Sequence, residues 1–134
     1  MQEALLIPEI RPERFLDPSA GTGMFISTLK DVPEIHCFEK DRLTGRILSS
    51  LYPESKVNIE GFQSIHLIIT ATSMLFLPIS RFFGNTRIYD RDFDRSDDPV
   101  RKSSLAAVHN YFFLKGMDTL REGGILAYIT TSGV

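Results

Sequence analysis

One cysteine, no long apolar run and no excess of basic charge are what this 134-residue chain lacks, and each absence removes a class of function. A single cysteine, Cys37, cannot make a disulfide framework; inside a strand-like run it reads as a buried core residue of a reducing compartment. No stretch approaches the roughly twenty apolar residues of a membrane span, and the N-terminus has no basic start of a secretion signal, so the expected location is cytoplasmic. The longest apolar stretch, Leu67 to Ile79, is broken by threonines, a serine and a proline, which fits a strand followed by a loop. Fifteen Lys and Arg against 17 Asp and Glu give a net charge of -2. That balance argues against a free-standing nucleic-acid binder with a basic surface, though not against a local basic patch. The three histidines, His36, His66 and His109, lack metal-ligand spacing, and no metal site is expected.

What is present is 43% hydrophobic content, enough to give one domain a real core. Apolar runs predict strands over about 14 to 17, 35 to 39, 56 to 60, 66 to 72 and 125 to 130, the last buried on both faces. Helical spacing predicts helices over about 22 to 31, 41 to 51 and 101 to 121, the third stopped by Glu122-Gly123-Gly124. Strands alternating with helices point to an α/β fold with an open, mostly parallel sheet covered on both faces.

The most informative segment is Phe15-Leu16-Asp17-Pro18-Ser19-Ala20-Gly21-Thr22-Gly23-Met24-Phe25, where an apolar strand ends in an acid and a Gly-Thr-Gly turn opens a predicted helix. Glycines at 21 and 23 permit backbone angles forbidden to other residues and let a ligand approach the main chain. The first N–H groups of a following helix would face that ligand. Asp17 adds a carboxylate, which suits an ammonium or sulfonium and repels a pyrophosphate. About twenty residues on, Ile35-His36-Cys37-Phe38-Glu39 ends in a second acid. Glu39 stands where doubly wound nucleotide-binding folds hold ribose hydroxyls; capping the next helix is its alternative role. A nicotinamide-binding Rossmann domain is a weaker fit, because the third glycine is missing at the usual spacing.

The run Asp17-Pro18-Ser19-Ala20-Gly21-Thr22-Gly23, with Phe25 after it, resembles the cofactor motif of S-adenosylmethionine-dependent, amino-directed DNA methyltransferases, in particular the adenine-specific branch. His109-Asn110-Tyr111-Phe112-Phe113-Leu114-Lys115-Gly116 and its surroundings resemble methylase and helicase-methylase proteins of bacterial mobile elements. The resemblance implies a Rossmann-like methyltransferase domain, S-adenosylmethionine as cofactor over the glycine turn, Asp17 near its methionine amine, and DNA as partner. It also implies that Gln63 stands at the acid position for the adenine amine and that Phe62 flanks the adenine ring, unless Phe62 is ordinary core.

At the catalytic position the likeness stops. The family places Asn or Asp, two prolines or Ile-Pro, and an aromatic after the fourth strand, to accept from the target amine of an extruded base. Residues 72 to 85 contain no Asn-Pro-Pro-Phe or close variant. Alignment puts Met74 or Ser80 at the amide position, and neither side chain replaces an amide. A reading-frame disturbance over about 63 to 82 would explain the gap. Five strands instead of about seven imply that residues 1 to 134 are one partial methyltransferase domain, whose bare sheet edges favour self-association. Two functions follow: the cofactor-binding portion of a DNA adenine methyltransferase, or a non-catalytic remnant of the same fold. Between Thr86 and Lys102, charges alternate around Tyr89 and Phe93; the segment reads as a solvated loop or as a DNA-facing arm.

Overall fold

The computed structural model describes residues 12–29, 31–65, 72–78 and 88–129, with backbone alone for 72–78 and 129. Among the described residues five strands form one parallel sheet: β1 Arg14–Asp17, β2 Glu34–Phe38, β3 Lys56–Asn58, β4 Thr72–Pro78 and β5 Leu120–Ile129, in the order β3-β2-β1-β4-β5. The order starts at the centre with β1, runs outward to β3, then jumps back to β4 beside β1. Such a reversal opens a crevice at the carboxyl ends of the strands on either side of it. Helices are α1 Arg42–Leu51, α2 Arg91–Asp94, α3 Pro99–Ser104 and α4 Val108–Thr119.

Register explains the two layers. Leu16 is level with His36 and Phe15 with Ile35, so alternate residues of β1 and β2 face opposite sides together. On one side Leu16 and Phe38 join Phe62, Ile65, Phe93, Leu105, Tyr111 and Phe112, a core supplied by α2 and α4 and the turns beside them. On the other, Cys37 packs with Ala20, Ile26 and Leu48 of α1. Helices therefore cover both faces, as expected of this fold class. Burial pushes the Cys37 thiol up to about 12, with the charge of Asp17 adding to the effect, which makes it an inert core residue.

Several expectations are corrected. Among the described residues of the 22 to 31 segment, one 3₁₀ turn, Ile26–Thr28, forms in place of a helix. Ser27 Oγ donates to the Met24 carbonyl (2.6 Å) and Thr28 Oγ1 to that of Phe25 (2.7 Å), and Asp31 takes a left-handed φ of 57°. These side chains compete with a helix for its own acceptors. The predicted helix over 101 to 121 is two helices, because the Leu105 carbonyl accepts from Ile88 N–H (3.1 Å) in place of a helical donor. Helix α4 ends at Thr119, before Glu122. Residues 121 to 124 then bulge out of β5, with Gly123 at φ 73°, and regular pairing resumes at Met74 with Ile125. At the edge of the described sheet, β5 is half-exposed and not buried. β4 lies at 72 to 78; residues 66 to 71, where the strand was expected, are outside the described residues. No helix among the described residues is long and apolar enough to cross a membrane.

Candidate functional site

The carboxyl ends of β1 and β2 are tied together by one acid. Glu39 Oε2 accepts from Gly21 N–H at 2.8 Å, and Glu39 Oε1 accepts from Asp41 N–H at 2.8 Å. Asp41 is itself the N-cap of α1, accepting from Thr44 N–H (2.8 Å). Glu39 thus braces the capping residue without capping the helix, and at the same time pins the glycine turn. Ala20 N–H donates to the Phe38 carbonyl (2.9 Å) and Glu39 N–H to that of Asn58 (3.0 Å), so the turn, β2 and β3 are held in one plane. An ionised carboxylate has about four acceptor positions and two are used here, leaving each oxygen able to accept once more.

The turn itself needs glycine at a defined place. Gly23 has φ 85°, and a Cβ there would overlap the Tyr52 ring and stand 2.8 Å from Leu48 Cδ1. Gly21 also lies in the left-handed region, at φ 58°. Before them, Asp17 is fully buried and its Oδ1 accepts from Ser19 N–H at 3.1 Å. Pro18 and Ala20 are buried, while Thr22 is exposed. Ser19 Oγ is shielded from solvent and has no hydrogen-bond partner among the described residues. A buried hydroxyl without a partner costs free energy, and a ligand on the turn would supply one.

Asp17, Pro18, Ser19, Ala20, Gly21, Thr22, Gly23 and Glu39 therefore lie together at the carboxyl ends of β1 and β2, with Asp17, Pro18, Ala20 and Gly23 buried and Ser19, Gly21, Thr22 and Glu39 at least partly open to solvent. Phe62 is placed differently. Its ring is 1% exposed, stacked on Phe112 at 5.3 Å and edge-on to Phe38 at 5.9 Å, which is the core position. Gln63 is exposed, and its amide folds back over Gly61 where a Cβ would stand. Since no helix of useful length follows Gly23, the expected row of helical N–H groups is absent from the described turn. The N–H groups of Ser19, Ala20, Gly21 and Gly23 are used inside the fold, on Asp17, Phe38, Glu39 and Ala20.

The catalytic alignments are separable by register. Phe15 pairs with Met74 and Leu16 with Leu75, which puts Met74 inside the sheet and Pro78 beyond the level of Asp17. Met74 is thereby removed from the strand end. Ser80 lies outside the described residues, as does His66. Among the described residues no group of His, Cys, Asp or Glu could hold a metal. His36 is buried in β2 with Nε2 at 2.8 Å from Glu34 Oε1, and His109 is half-buried on α4.

The charge-dense segment is ordered where described. Asp90 caps α2, and its Oδ2 accepts from Tyr111 Oη (2.6 Å) and Lys115 Nζ (2.8 Å). Arg101 makes a two-pronged pair with Asp118, at 2.5 and 2.7 Å. Phe93 is buried beneath Arg101 and Lys115, whereas Tyr89 is 80% exposed. Sequence reasoning missed this anchorage, because its partners lie 21 and 25 residues apart.

No protein-family model matches the chain. It is 28% identical over 122 residues to Defense against restriction protein B of Escherichia phage P1, covering 89% of this chain and 5% of that protein. Among solved structures it superposes on a TehB-like SAM-dependent methyltransferase from Corynebacterium glutamicum with a TM-score of 0.63 at 12% identity, over 98% of this chain and 62% of that one. A SAM-dependent O-methyltransferase from Thermotoga maritima gives 0.61 at 15%, over 98% and 43%. At such identities what is shared is the fold: the chain has the Rossmann-like methyltransferase architecture, over less than two thirds of the length of these proteins.

Proposed function

We propose that this chain is the S-adenosylmethionine-binding portion of a methyltransferase whose substrate is the exocyclic amine of adenine in DNA. The observation that carries the reading is the Glu39 bridge: a half-exposed carboxylate at the end of β2 holds the glycine turn at 2.8 Å and retains acceptor capacity on both oxygens. Two ribose hydroxyls can donate to it. Asp17 at the end of β1 provides negative charge for a methionine ammonium, and Ser19 Oγ a further polar contact. Bound there, the cofactor would supply an electrophilic methyl group on its sulfonium. The residues of this chain bind and orient it; Gln63 would reach the adenine edge after its amide swings away from Gly61.

The DNA part of the reading rests on the resemblance carried by the run from Asp17 to Gly23; the phage relative is named for defence against restriction. A second reading, cofactor binding without transfer, is favoured by one sequence fact: residues 72 to 85 hold no Asn-Pro-Pro-Phe or close variant. Calorimetric titration with S-adenosylmethionine, beside Asp17→Ala and with NAD as control, tests the site. Saturable binding that the variant loses supports it, and a folded chain that binds nothing overturns it. Mass analysis of bases from adenine-containing DNA incubated with chain and cofactor then separates transfer from binding alone.

A further inference from the structure

Helix α1 buries only one side. Gly45 lies against Ile59, and Leu48 with Tyr52 lies against Gly23. A second side, with nothing packed on it among the described residues, carries Leu43, Ile47 and Leu51, exposed by 70%, 42% and 57%. These three are spaced by four residues, so they form one stripe along the helix about 12 Å long. Exposed apolar residues are ordinary when scattered; a continuous stripe on one helix marks a contact surface.

We propose that this stripe pairs with the same stripe of a second copy of the chain, the two α1 helices running antiparallel about a two-fold axis at Ile47. The symmetry of the sequence about that residue selects the partner. Leu43 and Leu51 are each four residues from Ile47, so an antiparallel pair brings Leu43 of one copy against Leu51 of the other, twice. Just beyond the helix ends stand Lys40 and Glu54, each seven residues from Ile47 and opposite in charge. Both are exposed, and neither makes an ion pair among the described residues. Antiparallel pairing places Lys40 of each copy beside Glu54 of the other, whereas parallel pairing would oppose like charges. Self-complementarity of this kind is what a two-fold interface requires, and a shallow crossing keeps the stripes in register. The inference is independent of the cofactor reading. It uses the face of α1 adjoining the one that meets Gly23, so association would brace the helix behind the glycine turn.

Sedimentation equilibrium of the 134-residue chain, from low micromolar to several hundred micromolar, tests it. The expected result is a monomer–dimer equilibrium. Ile47→Glu, an exposed substitution that leaves the circular dichroism unchanged, sets two carboxylates on the axis and should raise the dissociation constant roughly 30-fold or more. Lys40→Glu or Glu54→Lys alone should raise it roughly fivefold, and the two together should restore it. A wild-type chain that stays monomeric overturns the proposal. So does a dimer indifferent to Ile47→Glu, which would put the contact elsewhere, such as a sheet edge. Failure of the double exchange to restore affinity overturns the antiparallel arrangement.

Discussion

The Tyr111 hydroxyl donates to Asp90 Oδ2 at 2.6 Å, deep under the segment that the sequence presents as a solvated, charge-rich loop. Lys115 Nζ shares the same oxygen at 2.8 Å, and Oδ1 accepts from the N–H groups of Asp92 and Phe93. Burial pushes the Asp90 carboxyl up, but the Lys115 ammonium and the Tyr111 hydroxyl outweigh it and hold the group below its ordinary value. Four donors therefore depend on one side chain.

Asp90→Asn should destabilise the chain by about 3 kcal/mol, because the Lys115 charge stays buried without its counter-ion. Adding Lys115→Met should recover most of that loss, since no unpaired charge is then left buried. Urea midpoints of the three chains measure both effects. A single variant within about 0.5 kcal/mol of wild type, or a double variant no better than the single one, would show that the network is not what anchors α2 to α4.

Gly23→Ala attacks the turn by backbone and by space. The φ of 85° strains any other residue, and the new methyl overlaps the Tyr52 ring. A cost of about 1–3 kcal/mol is expected, with loss of S-adenosylmethionine binding. Tyr52→Ala in the same chain removes the ring overlap but neither the angle nor the close approach of Leu48 Cδ1, so it should recover only part of the stability. Full recovery would mean that neither the angle nor the Leu48 contact carries strain.

Much of this site is legible in the sequence for a physical reason. Buried parallel strands are continuous apolar runs, and an acid or glycine ending such a run is conspicuous, so β1, β2, Asp17, the turn and Glu39 were all placeable. What is not legible depends on distant partners. Nothing near Leu105 marks a helix break; its carbonyl is taken by Ile88 across the fold. The run from Leu67 to Ile79 contains no signal for where β4 begins, because pairing with Phe15 and Leu16 sets its register. Phe62 reads equally as a ring beside a ligand or as core until Phe38 and Phe112 are seen on either side. The 22 to 31 segment misled for a local reason: its hydroxyls bond backward to carbonyls, an alternative that helical spacing does not reveal.

Glu39→Gln keeps size and one acceptor but turns an NH2 toward one of the two backbone N–H groups that Glu39 now satisfies. Affinity for S-adenosylmethionine should fall at least tenfold, about the worth of a hydrogen bond to a charged group. Calorimetry gives the affinity, and backbone amide shifts of Gly21 and Asp41 report the bridge directly. If affinity holds within twofold while those amides move, Glu39 is a structural brace only.

The last prediction concerns acid. Glu34 takes hydrogen bonds from Lys56 Nζ, His36 Nε2 and Arg14 Nε, and these, in that order of weight, lower its carboxyl from 4.5 to about 2. A depressed carboxyl stabilises the fold at any pH above its unfolded value, since there the charged form is present in both states and is favoured in the native one. As pH falls from about 4.5 toward 2, the unfolded chain takes up a proton that the native chain refuses, and the contribution drains away. Glu34→Gln should therefore be less stable than wild type near neutrality, and the gap should narrow at about pH 3. Other acids titrate alike in both chains and cancel in the comparison. A gap of equal size at both pH values would mean that the three strands β1, β2 and β3 are not held together at this end by charge.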